Sequence, residues 1–445
     1  MTSTQSFKTL LYVMTGDTSD VDGYAIASRL PDLRRRLLAR GVRLRVAIVV
    51  PQRIACKRKE SQDVMEHDEE HAKDIARQCG RIFAFLAGVV VGVDGVDGVD
   101  EDIFIVDGGK NHKNIFPAAK QFDELTHFVG RVQTLLSEAA ARTSRSYLTE
   151  REPRPLSYLA EQIRSPGTQM VIMDGNGSLG FMTRLQVELE QQGMSELGAK
   201  MKASGVPMPV MAGVLAEVTP KTLPMPGRDP RATMNAIYSP QGFRVLVELA
   251  RDHDVPLLFV TNNACVSTLK FERWQDILEY MGLHMPSRTT TRTTTLTTTL
   301  TTEEEEGELD GELDGDDDDA LRKRVLAELA EAWYGQAFLS GHYVLYDVLC
   351  FCAMVKSIDD RFPLSGSNAE SNTDFRTHVR TLYMGSPSKG ISSDVLVLLL
   401  ENDVEEGTSL GEAEVKNLDG TERMGKVQCL DPMDREAVKQ VWEAL

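Results

Sequence analysis

Three aspartates crowd one turn near the start of the chain. Thr15-Gly-Asp17-Thr-Ser-Asp20-Val-Asp22-Gly23 follows the apolar run Leu10–Met14 and precedes a helix-like stretch, Tyr24–Leu30. Carboxylates this close repel one another unless a cation lies among them, and hard oxygen donors favour Ca2+ or Mg2+ over zinc. One aspartate alone would read as a helix cap or turn former; three together point to a metal. A second acidic patch, Gly92–Asp102, repeats Val-Asp-Gly but lacks the closing glutamate of a helix-loop-helix calcium loop, and reads as a surface loop. Lys110-Asn-His112-Lys-Asn114 is a polar loop that either faces a pocket or lies on the surface. Cys350 and Cys352 sit in the apolar run Val348–Val355 and read as core thiols.

The elements that must position such a turn are legible as alternating runs. Leu10–Met14, Leu44–Val50, Ile103–Val106, Met170–Met173 and Pro256–Val260 have the short, continuous apolar character of buried strands. Glu66–Leu86, Gln121–Ala141, Gly242–Asp252 and Leu321–Ala337 read as helices between them. Alternation of this kind predicts an α/β fold with a mostly parallel central sheet and helices on both faces. In such sheets ligands bind beyond the carboxyl ends of the strands. Thr289–Thr302 is nearly all threonine and runs into Glu303–Asp319, which holds twelve acidic residues and no basic one. That composition cannot bury enough apolar surface to offset its ordering entropy. The expected organisation is therefore one domain in two parts, residues 1–287 and 321–445, interrupted by a disordered insertion at 288–320.

Charge and composition exclude several classes. A net charge of −18 with no basic stripe argues against nucleic acid as a partner. No apolar run is long enough for a membrane span, and Met1–Leu11 lacks the basic and apolar regions of a secretory signal, so a cytoplasmic address is expected. Six cysteines without a CxxC pair suggest reduced thiols rather than a disulfide framework or a structural zinc site.

The turn also resembles the opening Asp-x-Asp-Pro-Gly-x-Asp-Asp motif of the inosine/uridine-preferring nucleoside hydrolase family, with Asp17 on its central aspartate and Asp22 on its last. Further segments follow in the family's order. Arg154-Pro-Leu-Ser-Tyr-Leu-Ala160 resembles Gly-Pro-Leu-Thr-Asn-x-Ala, and Gln169–Gly175 resembles a strand ending Met-Gly-Gly. Thr233-Met-Asn235-Ala-Ile-Tyr-Ser-Pro240 resembles Glu-Phe-Asn-x-x-x-Asp-Pro, and Tyr346-Asp347-Val-Leu-Cys350 resembles a His-Asp helix start. Gly390–Asp394 and Gln428–Asp434 resemble the family's end.

The resemblance implies a three-layer nucleoside hydrolase-like fold, a calcium ion, a small-molecule riboside substrate, a place in purine or pyrimidine salvage, and a homo-oligomer. Asp17, Asp22 and Asp347 would hold the ion, with a carbonyl near Pro153. Asp17 would be the general base for water attacking the anomeric carbon through an oxocarbenium-like transition state. Asn235 would hold the ribose 5′-hydroxyl, and Asn176 is either a second sugar contact or a turn asparagine. Three departures stand out. Val21 occupies the position of a ribose-binding aspartate, for which Asp20 would substitute by a shift of the turn. Thr233 replaces glutamate, and Tyr346 replaces the leaving-group histidine. His342, one helical turn before Tyr346, is the expected replacement proton donor.

Two rivals remain. The same fold could bind a riboside without turnover, since Thr233 and Tyr346 are poor substitutes for the residues they replace. Alternatively, Val171-Ile-Met-Asp174-Gly-Asn-Gly-Ser-Leu179 and Leu258-Phe-Val-Thr261-Asn-Asn263 resemble the nucleophile loop and threonine strand of haloacid dehalogenase-like phosphatases. That reading gives Asp17 and Asp347 no role.

Overall fold

Strands buried on both faces are built from unbroken apolar runs, and the five runs above form the heart of one sheet. In the computed structural model the described residues are 7–15, 21–51, 53–57, 64–66, 69–89, 102–109, 113–116, 119–143, 147, 152–177, 179–212, 214–215, 239–283, 317–331, 343–364, 379–385, 391–392 and 426–445. The sheet strands are β1 (Lys8–Thr15), β2 (Val42–Val50), β3 (Ile103–Asp107), β4 (Met170–Met173), β5 (Met208–Val210), β6 (Val214–Leu215), β7 (Leu257–Val260), β8 (Val379–Gly385), β9 (Ile391–Ser392) and β10 (Lys426–Leu430). Two ladders, β3-β2-β1-β4 and β5-β7-β10-β8-β9-β6, are joined by a parallel bridge between Gly175 and Val210. From β3 to β10 the pairing is parallel throughout; β8 then runs antiparallel to β10.

The helices are α1 (Val21–Leu38), α2 (Glu69–Leu86), α3 (Ala119–Thr143), α4 (Leu156–Arg164), α5 (Met182–Ser204), α6 (Pro240–Asp252), α7 (Asn262–Leu269), α8 (Trp274–Met281), α9 (Asp317–Ala330), α10 (Tyr346–Arg361) and α11 (Arg435–Glu443). Pleat alternation sorts them into two layers. Leu10, Tyr12 and Met14 of β1, with Val46 and Ile48 of β2, join a core formed with α1–α3 and α7–α11. Their neighbours Leu11, Val13, Ala47 and Val49 join a second core with α4, α5 and α6. This is the expected three-layer α/β arrangement.

The terminal helix is tied down by Trp442, 1% exposed, which meets Phe351 edge-on at 6.4 Å and lies under the Arg29 guanidinium at 4.7 Å. Burying a side chain of this size contributes roughly 2–3 kcal/mol. The α11 N-terminus is capped by Asp434, whose carboxylate accepts from the Glu436 N–H at 3.1 Å.

Several boundaries differ from the sequence reading. The expected helix from Glu66 begins at Glu69, because Glu66 closes a short strand, Val64–Glu66, paired with Arg53–Lys57. Lys113 and Asn114, read as loop, lie in the strand Lys113–Phe116, which pairs in parallel with Arg53–Lys57. Helix α9 begins at Asp317, inside the segment assigned to the insertion, where acidic residues in a first turn oppose the positive helix end. Residues 284–316 lie outside the described residues, and with them all of the insertion except its last four residues. The acidic repeat ends in Asp102, which is 8% exposed rather than part of a surface loop. Cys350 and Cys352 are fully buried core thiols, as expected. No helix among the described residues is long and apolar enough to cross a membrane.

Candidate functional site at the carboxyl edge of the sheet

β1 is a central strand with neighbours on both sides, so its carboxyl end opens between the ends of β2 and β4. Helix α1 starts on the far side of the turn, and its second residue is Asp22, fully buried. Helix α10 also places an aspartate second, Asp347, 5% exposed. Carboxylates in a first turn are stabilised by the unsatisfied N–H groups and the positive end of the helix. Here the two helix starts meet. The Asp347 N–H donates to Asp22 Oδ2 at 3.1 Å, a bond across 325 residues of sequence. The carboxylate of one helix therefore satisfies an amide at the start of the other.

Behind this pair the wall is apolar and holds two thiols. Burial pushes Cys265 well above the ordinary thiol range, and the nearby Asp347 and Asp22 carboxylates push it further. Cys350 rises in the same way, by burial first, then by Cys265, Asp347, Asp174 and Asp22. Both are held as neutral thiols and cannot serve as nucleophiles. The Cys265 Sγ lies 3.8 Å from the Tyr346 carbonyl, tying α7 to the start of α10.

A third carboxylate, Asp174, leaves the end of β4 and is 1% exposed. The Tyr12 hydroxyl donates to its Oδ2 at 2.5 Å, while Thr15 donates to Oδ1 through both its amide, 2.9 Å, and its hydroxyl, 2.5 Å. Burial raises the Asp174 pKa above the usual carboxylate value, and the bonds from Thr15 and Tyr12 oppose that rise. Burial also drives Tyr12 well above its ordinary value, reinforced by the Asp174 charge. A carboxylate so enclosed, accepting at both oxygens, is not presented to a phosphoryl group in solvent. Thr261, the other half of the phosphatase resemblance, caps α7 by accepting from the Ala264 N–H at 3.2 Å. It follows β7, which β5 separates from β4. The phosphatase reading is therefore corrected: its two segments serve as a structural network and a helix cap.

Asn176 follows directly and is 4% exposed, so the loop after β4 turns inward rather than into solvent. Gly175 makes this possible. A Cβ there would meet Val210 Cγ1 at 3.1 Å and its Cα at 3.3 Å, so only glycine lets β5 approach closely. Pro153 precedes Arg154, whose backbone exchanges bonds with β3, accepting from the Asp107 N–H at 2.9 Å and donating to the Ile105 carbonyl at 2.8 Å. The predicted carbonyl ligand thus lies at the carboxyl end of the sheet.

Of the residues expected in the site, the structure brings Asp22 and Asp347 together and sets Asn176 in the same edge of the sheet. Asp17, Asp20, Asn235 and His342, with Thr233, lie outside the described residues. Among the described residues no group of three or more His, Cys, Asp or Glu side chains is arranged to hold a metal ion. The Asp22–Asp347 pair supplies hard oxygen donors of the kind calcium takes, and a further ligand such as Asp17 would be required. Sequence reading missed the Tyr12–Thr15–Asp174 network. Its only local sign is an acidic residue at the end of a buried strand, before a glycine.

Comparison with known proteins adds the following. No family model matches the chain, and no curated protein matches it. Among solved structures it is similar to an inosine-uridine preferring nucleoside hydrolase from Bacillus anthracis, at 12% identity and a TM-score of 0.46, covering 98% of each chain. It is also similar to a purine-preferring ribonucleoside hydrolase from Gardnerella vaginalis, at 10% identity and a TM-score of 0.44, covering 98% of this chain and 100% of that one. A third likeness is the type III effector protein XopQ complexed with adenosine diphosphate ribose, at 14% identity and a TM-score of 0.40, covering 98% and 94%. At these scores the likenesses carry no step of the chemistry that follows.

Proposed function

We propose that this chain binds a riboside at the carboxyl edge of its sheet and hydrolyses the N-glycosidic bond with the help of calcium. The observation that carries the reading is the meeting of Asp22 and Asp347, from helix starts 325 residues apart. Two buried aspartates at adjoining helix starts offer hard oxygen donors of the kind calcium takes.

In this reading Asp22, Asp347 and Asp17 hold the ion, and Asn176, Asn235 and Asp20 bind the sugar. Asp17 takes the proton of the attacking water, and His342 gives one to the departing base. Bound calcium would supply positive charge that orients the ribose hydroxyls and acidifies water. The apolar wall with its neutral thiols excludes bulk solvent from the reacting centre. Tyr346, standing where the resemblance has histidine, favours a second reading in which the riboside is bound but not cleaved.

The test is a screen of base release from inosine, uridine and other ribosides, with calcium present and after chelation, alongside ligand binding by calorimetry. Hydrolysis that disappears with chelation supports the first reading. Ribose-dependent binding without base release supports the second, and neither binding nor release removes both.

A further inference from the structure

The loop after β4 and the end of β1 are joined by a continuous hydrogen-bonded chain. Asp174 Oδ1 accepts from the amide and hydroxyl of Thr15, and the same Thr15 oxygen accepts from the Gly177 N–H at 3.1 Å. The Asp174 amide in turn donates to the Val13 carbonyl at 3.2 Å, and Oδ2 receives the Tyr12 hydroxyl. Every member is buried. One carboxylate therefore fixes Thr15, the last residue of β1, and through its hydroxyl Gly177, the residue after Asn176.

We infer that Asp174 is a positioning residue: through Thr15 it holds the carboxyl end of β1 and the Asn176 loop at a fixed separation. This inference deepens the proposed riboside site and rests on it. The donors are neutral, so they orient the carboxylate without cancelling its charge, and a fully satisfied buried network of this kind has one arrangement. Asp174 accepts from its neighbours at both oxygens. Its contribution comes from holding two neighbours still, and a misplacement of about 1 Å in such a site costs on the order of 100-fold in rate.

The experiment compares Asp174→Ala, Asp174→Asn and Thr15→Val with the parent chain, with Asp102→Ala as a control remote from the network. Three quantities are read: kcat and KM for the best riboside of the screen, the calcium dissociation constant, and amide hydrogen exchange by residue. Asp174→Ala and Thr15→Val should each lower kcat at least tenfold. The calcium constant should weaken by a smaller factor than kcat, because two of the three proposed ligands, Asp22 and Asp347, are carried by α1 and α10. Exchange should accelerate at least tenfold at Thr15 and Gly177 but not at Asp347. Asp174→Asn, which keeps an acceptor for Thr15, should recover part of the loss. A kcat within twofold of the parent in Asp174→Ala would overturn the inference even if the melting temperature fell, as would unchanged exchange at Thr15 and Gly177. A parent chain that cleaves no riboside would sink the proposed reaction instead. The exchange pattern would then decide alone whether Asp174 joins the two loops.

Discussion

Two buried aspartates, Asp102 and Asp174, solve the same problem in opposite ways. Asp102, just before β3, is surrounded by guanidinium groups: Arg43 at 2.8 Å, Arg34 at 3.3 Å and Arg45 at 3.7 Å. Asp174, just after β4, is held by hydroxyls and a backbone N–H. Arginines neutralise a carboxylate and leave it inert, a structural fastening between α1 and β2. Neutral donors fix its direction without supplying a countercharge, at the same edge where Asp22 and Asp347 meet. The contrast separates an end of the sheet whose aspartate is neutralised by arginines from the end at which a cation is proposed to bind.

The contrast can be broken most directly at Asp347. Asp347→Asn should weaken calcium binding by roughly 100-fold, since a charged hard ligand is lost at a site whose affinity follows ligand charge. Isothermal titration measures it, and an unchanged constant would show that this edge is no metal site. At the other end, Asp102→Ala should destabilise the protein by about 2–3 kcal/mol, as three arginines lose a mostly buried partner. Urea denaturation should show this with hydrolysis per folded molecule unaltered.

Cys79 lies in the core, where burial is the largest influence on its thiol and a hydrogen bond with Tyr24 opposes it. Burial pushes its thiol from the ordinary 9.0 up to about 12. The folded state thus keeps a proton that the unfolded chain releases, so this stabilising contribution is complete below pH 9 and is lost as pH rises from 9 towards 12. Stability should fall by about 1.4 kcal/mol per pH unit over that window from this group, and Cys79→Val should flatten the slope by that amount. The smallest effect is expected from Tyr12→Phe, which removes one donor to Asp174 and should cost about 1 kcal/mol. A loss as large as that of Asp102→Ala would mean that the neutral network is as rigidly fastened as the charged one.

The five central strands were legible because parallel strands covered on both faces need unbroken apolar runs, and Leu10–Met14 or Met170–Met173 has no other easy reading. Short or peripheral strands, such as Met208–Val210 and Val379–Gly385, carry no such run and were not identified. The Asp22–Asp347 contact was anticipated only through the order of weak motifs. Nothing local to Asp347 distinguishes it from an ordinary first-turn aspartate. Asp174 was legible as an unusual residue but assigned the wrong work. Its partners Tyr12 and Thr15 lie about 160 residues earlier, and only the β1–β4 pairing shows that their side chains converge.

Strand β10, drawn from residues 426–430, lies inside the sheet between β7 and β8. During synthesis, β7 must wait with an open, apolar flank until some 165 further residues have emerged, the interval that includes the threonine-rich and acidic segment. Contacts of such long sequence separation close slowly, and a waiting strand edge invites pairing with other chains. The strongly anionic stretch Glu303–Asp319 falls within that interval of sequence, and like charges on neighbouring nascent chains repel one another.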